Sequence, residues 1–163
     1  MKKLNKSWSR FIAVQVLFQI DFNERMGLEI SENFDEKKLK LVIQNMHDLN
    51  KKLIEFKDLK YSADLKWLFT LLKEVLRNNK FIDNYLSKKI DKNWSLTRMD
   101  IALINILRCG YTEFSIFKDI PVKVIISEYT NIASSFFNNK EVNFVNGVLD
   151  ALGKEFRPKE LDG

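Results

Sequence analysis

Cysteine, histidine, proline and glycine are all scarce: the 163 residues include one, one, two and five of them. A single cysteine excludes a disulfide framework within the chain, and a single histidine excludes a histidine-rich metal site. So few turn-forming residues argue against an all-β domain and for long helices. No apolar run reaches the roughly 18 residues that a membrane span needs. The apolar stretch behind Lys2, Lys3 and Lys6 is broken by Gln15, Gln19 and Asp21. No small-residue cleavage site stands out either, which argues against a secretory signal. What is present is an ordinary globular mixture, 45% hydrophobic and 30% charged, of a length for about one domain. The composition predicts a cytoplasmic, mostly helical, single-domain protein.

Charge is unevenly spread. The 27 Lys+Arg and 22 Asp+Glu leave a net +5. Lys2, Lys3, Lys6 and Arg10 all precede the first acid, Asp21. A basic end on a near-balanced body fits contact with an anionic partner; a solvated terminus is the plainer alternative. Trp8 adds a stacking ring among these cations. Phosphates draw Lys and Arg, and unpaired bases stack on aromatic faces.

Apolar periodicity divides the chain into about seven helices. The first spans about 7–22 and is apolar nearly all round, with Gln15 and Gln19 as a narrow polar stripe, so other elements must cover it. A second covers about 34–56 and ends in a lysine cluster, Lys51, Lys52, Lys57 and Lys60. A third runs from about 63 to 78, where Asn78-Asn79 reads as a break before a short fourth helix around 81–90. The fifth, about 96–117, has Ser95 or Thr97 as its cap, with Thr97 and Asp100 at capping-box spacing. Its polar residues Arg98, Asn105, Arg108, Thr112 and Ser115 form one stripe. A sixth helix starts at Pro121, and a seventh covers about 140–156, with Pro158 and the charged residues after it ending the fold. Asn146-Gly147 resembles a hairpin turn, but Val145, Val148, Leu149 and Leu152 keep the helical period. Gly147 should then be offset by close approach of another helix. The fold class is all-α, one domain over 1–163 made of two packed helical subdomains, about 1–78 and 79–157.

Catalytic motifs are missing. There is no Gly-rich phosphate loop, no G-x-S-x-G and no H-E-x-x-H. His47 sits on the charged side of its helix without a nucleophile spaced to pair with it. Cys109, inside a helix, reads as a small core residue. Asp35-Glu36 reads as a solvated helix start. The expectation is no enzyme, no cofactor and no metal. Phe144 lies beside the inward Val148 but also near Lys140 and Asn143, as a core edge or an exposed stacking ring.

The C-terminal third resembles a known family. Ile120-Pro-Val-Lys-Val-Ile-Ile-Ser-Glu-Tyr, then Ile132-Ala133, Phe136 and Phe144-Val-Asn-Gly-Val-Leu-Asp150 look like the NusB family of bacterial transcription antitermination factors. Ala13-Val-Gln-Val-Leu-Phe18 resembles that family's first helix. Ile82-Asp83, Trp94, Ile106-Leu107-Arg108 and Glu113 follow in the family's order. The similarity covers essentially the whole chain. It implies a helical fold of two subdomains without catalytic residues or cofactor. It also implies pairing with NusE, a small-subunit ribosomal protein. The pair binds the single-stranded boxA element of nascent RNA and helps the RNA polymerase elongation complex through ribosomal RNA operons. Carried over by position, the RNA contacts are Lys6, Arg10, Phe18, Lys140 and Phe144. Lys2 and Lys3 add to the cationic end, and Trp67 falls where relatives often have an aromatic near the RNA path.

The chain departs from the family pattern in places. Ser7-Trp8 stands where relatives often have consecutive arginines, and lysine lacks the bidentate fork of arginine. Ser127 replaces an asparagine, Leu103-Ile104 replaces a charged pair near RNA and partner, and Lys140 stands where some relatives have an acid. Two other readings follow. One is a helical protein–protein adaptor that touches no RNA. The other is a stand-alone relative of the N-terminal domain of ribosomal-RNA cytosine methyltransferases. Either a monomer or a homodimer is compatible with the pattern.

Overall fold

Asn5 ends a short strand and starts the first helix. Its backbone is extended, and its Oδ1 accepts the Trp8 N–H at 2.9 Å, the N-cap bond that satisfies one of the helix's open donors. The computed structural model describes residues 3–27, 37–38, 40–41, 61–90, 94–96 and 98–161. Among these the elements are β1 (Lys3–Asn5), α1 (Lys6–Arg25), β2 (Tyr61–Ala63), α2 (Leu65–Lys89), α3 (Ile101–Ile116), α4 (Val122–Phe136), α5 (Asn139–Phe156) and the single-turn α6 (Pro158–Leu161). The class is all-α, as expected. Residues 37, 38, 40 and 41 are helical, within the span expected for the second helix. The rest of that helix, with His47 and its lysine cluster, lies outside the described residues.

Contacts divide the chain into two units, Met1–Lys73 and Glu74–Gly163. In the first, β1 pairs in parallel with β2, Leu4 opposite Ser62. Three-residue strands are too short to leave a period in the sequence, and neither was expected. Ser9 ties this unit together: its hydroxyl donates to the Asn5 carbonyl at 2.8 Å and accepts the Asp64 N–H at 2.8 Å. Asp64 in turn accepts the Trp67 N–H at 3.2 Å and so caps α2. Ile12, Ala13, Val14, Val16, Leu17 and Ile20 of α1 are buried.

The expected break at Asn78-Asn79 does not occur; α2 runs unbroken from Leu65 to Lys89. Buried Leu68, Leu71, Leu72, Val75, Ile82 and Leu86 keep one apolar stripe across the asparagine pair. Burial of that stripe outweighs the weak helix propensity of asparagine. The Asn78 amide donates back to the Glu74 carbonyl at 3.0 Å, so its side chain stays within the helix.

In the second unit α3, α4 and α5 pack on one another. The α3 helix begins at Ile101, later than expected, because Arg98 and Met99 turn back on Ser95 and Leu96. Its cap is Asp100, whose Oδ1 accepts the Ala102 N–H at 2.8 Å, and not Ser95; Thr97 lies outside the described residues. The polar stripe of this helix is largely inward: Asn105 and Thr112 are buried. Arg108 forms a bidentate pair with Asp83 at 2.8 and 2.6 Å and donates to Asn105 Oδ1 at 3.0 Å. Buried Tyr129 donates a hydrogen bond to buried Glu113.

One glycine differs from expectation. Gly147 is helical as read, yet a Cβ there would meet nothing within 4 Å. The close approach occurs at Gly110, where a Cβ would stand 2.5 Å from Leu149 Cδ2. Pro121 precedes the first turn of α4 as its N-cap residue. Pro158 does not end the fold: α6 follows, and Glu160 Oε2 accepts the Val122 N–H at 2.9 Å.

Candidate nucleic-acid interface

Among the residues expected at RNA, Lys2 lies outside the described residues and Lys3 is described only by its backbone in β1. The others fall into two groups, one in each unit. In the first unit Lys6 opens α1 and is exposed. Arg10, one turn on, is 2% exposed, and its guanidinium lies 5.2 Å from the centroid of the Trp67 ring. Trp67 is also buried, so this cation–π pair faces inward. Phe18 is 37% exposed and stacks on exposed Phe22, with centroids 6.2 Å apart.

A feature missed in the sequence links these rings. Trp8, Phe11, Gln15, Phe18 and Phe22 follow steps of three and four, the spacing of one helix face. All five are half-buried or exposed, and Trp8 stacks on Phe11 at 5.6 Å. The glutamines seen as a polar stripe therefore border a line of aromatic rings. The signal was readable, but the near-continuous apolar character of α1 concealed which rings face out.

In the second unit Lys140 and Phe144 sit one turn apart on α5. Phe144 stacks on Trp94, with centroids 4.1 Å apart and planes 16° from parallel. The Lys140 ammonium lies 5.3 Å from the Trp94 centroid. Phe144 is thus half of a two-ring stack at the edge of the core, and the two alternatives read for it merge. Beside the stack is a groove of about 390 Å³ bordered by Trp94, Arg98, Asp100, Leu103, Phe137 and Glu141. Leu103 and Ile104 are buried, so this pair presents no charge to a ligand. A cation, flat rings and an open groove give this surface the means to hold phosphate and to stack bases.

Other buried polar groups serve the fold. Arg157 is buried and donates to the carbonyls of Ile120, Phe114 and Phe117, the last two at 3.2 and 2.8 Å. It satisfies carbonyls left open where α3 ends. Burial pushes the Cys109 thiol well above its ordinary value, the reverse of what a nucleophile needs. Burial, helped by the Glu155 carboxylate, raises Tyr85 to about 12. Among the described residues no group of three or more His, Cys, Asp and Glu could hold a metal ion. No helix among them is long and apolar enough to cross a membrane.

Comparison with known proteins gives a consistent result. The model of the NusB family matches residues 7–154. The chain is 33% identical over 161 residues to transcription antitermination protein NusB of Sinorhizobium medicae, covering 98% of this chain and 93% of that protein. It is 34% identical over 158 residues to the protein of the same name from Rhizobium meliloti, covering 96% and 91%. A crystal structure of T. maritima NusB superposes with a TM-score of 0.71 at 27% identity, covering 97% of this chain and 96% of that one.

Proposed function

The chain belongs to the NusB family of transcription antitermination proteins, and from that premise we propose that it holds the single-stranded boxA element of nascent RNA together with NusE. It is not an enzyme. In this reading it works in the cytoplasm on the RNA polymerase elongation complex and supports processive transcription of ribosomal RNA operons. Exposed Lys6, with Lys2 and Lys3, draws the phosphates, and Phe18 in the aromatic line of α1 takes bases. Lys140 and the Phe144–Trp94 stack form the second contact. Arg10 and Trp67 contribute from beneath, by holding the start of α1 in place.

The observation that carries the reading is the Lys140–Trp94–Phe144 arrangement, a cation against a stacked pair of rings. Cation plus stacking platform is the chemistry of single-strand recognition. The test is sedimentation of the chain with NusE and boxA RNA, together and in pairs. A ternary complex supports the reading. A stable complex with NusE that leaves RNA free contradicts it and favours the protein–protein adaptor.

A further inference from the structure

In the second unit one face of α2 is cationic and holds an aromatic ring in water. Arg77, Lys80, Phe81, Asn84 and Lys88 follow steps of three and four, so they share this face, and all five are exposed. Phe81 is 64% exposed, and no ring among the described residues stacks on it. Lys80 and Lys88 have no paired acid among the described residues. Arg77 lies 3.6 Å from Glu74 with most of its side chain in water, too far for a hydrogen bond, so its N–H donors stay available. Asp83 is engaged by Arg108 at 2.8 and 2.6 Å. The helix dipole accounts for a cation near the last turn, such as Lys88, but not for Arg77 and Lys80 in mid-helix.

We infer that this face is a second track for single-stranded RNA, on which the nucleotides adjoining boxA lay phosphates along Arg77, Lys80 and Lys88 and stack one base on Phe81. The inference rests on the RNA-binding reading above and lengthens its footprint. Charge complementarity calls for a polyanion, since the face carries three cations and no free acid. The ring decides which polyanion. Phe81 has cations before and after it along the helix, and a nucleotide chain repeats a flat base beside each phosphate. An acidic peptide has no such repeat. From Arg77 to Lys88 the face runs about 16 Å at a rise of 1.5 Å per residue. Trp94 follows Lys89 by five residues, so the end of α2 lies within about 18 Å of the ring stack. A strand leaving the stack reaches Lys88 over that distance. The Phe81 side chain has no polar atom and takes any base, so the track supplies affinity and not sequence choice.

The test uses the full chain with NusE and two fluorescent RNAs, boxA alone and boxA extended by oligouridine at both ends. Anisotropy gives their affinities over a series of salt concentrations. The extended RNA should bind more tightly, by about fivefold or more. Its slope of log affinity against log salt should be steeper by about two, the value for three phosphate contacts on a single strand. The triple variant Arg77→Gln, Lys80→Gln, Lys88→Gln should remove the added slope. Phe81→Ala should remove most of the added affinity and leave the slope. Neither should change the binding of boxA alone, and substitutions at such exposed positions leave the fold intact. An extension that adds no affinity, or a gain that survives both the triple variant and Phe81→Ala, overturns the track while boxA binding stands. A triple variant that keeps both RNA affinities but loses NusE marks the face as a protein contact and overturns the track as well. Failure of both RNAs to bind the unsubstituted chain overturns the RNA reading and the track with it.

Discussion

Arg10 lies with its guanidinium over the ring of Trp67, 5.2 Å from the centroid, and both side chains are buried. A desolvated cation–π contact is worth about 2 kcal/mol, and truncating Arg10 also leaves a void beneath α1. Arg10→Ala should therefore lower the unfolding midpoint in urea, by about 1–3 kcal/mol of stability. Arg10→Lys should recover only part, since an ammonium lacks the flat guanidinium that packs over a ring. An unchanged midpoint in Arg10→Ala would show that the pair contributes nothing to the fold.

Lys140 is exposed at the start of α5 and lies against Trp94. Lys140→Glu replaces a cation facing RNA phosphates with an anion. Affinity for RNA should fall, and the slope of log affinity against log salt should drop by about one. Equal affinity with an unchanged slope would remove Lys140 from the interface.

The two helical glycines should respond in opposite directions. Gly147→Ala meets open space, so the helix gains about 1 kcal/mol in propensity. Gly110→Ala puts a Cβ 2.5 Å from Leu149 Cδ2. Leu149 is itself buried, and crowding of this kind costs about 1–3 kcal/mol. Thermal unfolding of the two variants should show a higher midpoint for Gly147→Ala and a lower one for Gly110→Ala. A rise in both would mean that Leu149 moves aside freely.

Glu160 links α6 to the start of α4. The Val122 N–H, and then Arg157, hold its carboxyl below the ordinary value of 4.5. A carboxyl lowered in the folded state contributes stability that is present above its unfolded value and lost as pH falls through the folded one. The chain should therefore exceed Glu160→Gln in urea midpoint at neutral pH, and the difference should close as pH falls below about 4. A difference independent of pH would mean that the charge of Glu160 plays no part.

The helices were legible where burial and period agree. The apolar stripe of α4 is buried at Val122, Ile125, Tyr129, Ile132 and Ala133 as its spacing implies, whereas Ile126 on the same stripe is half-buried and Phe136 at its end is 43% exposed. The errors sit where a local signal competes with distant packing. Asn78-Asn79 looks like a break, but the apolar stripe on either side carries the helix through. Gly147 looks like a packing glycine, and only the path of α5 past Gly110 shows which glycine is crowded. Arg157 drew no reading from the sequence, because the carbonyls that it caps are some 40 residues earlier in the chain. For the candidate site, sequence supplied Lys140 and Phe144, but not Trp94 as a site residue, nor the stack that joins them. The burial of Arg10 was equally hidden, since its partner Trp67 lies on another helix.

The central claim is that this surface reads boxA RNA together with NusE. Its most direct test is anisotropy of a fluorescent boxA RNA and a scrambled RNA of the same composition, with and without NusE, at two salt concentrations. The account predicts tighter binding of boxA than of the scrambled strand when NusE is present, and weaker binding of both at the higher salt. Equal weak binding of the two RNAs, unchanged by NusE, would contradict it.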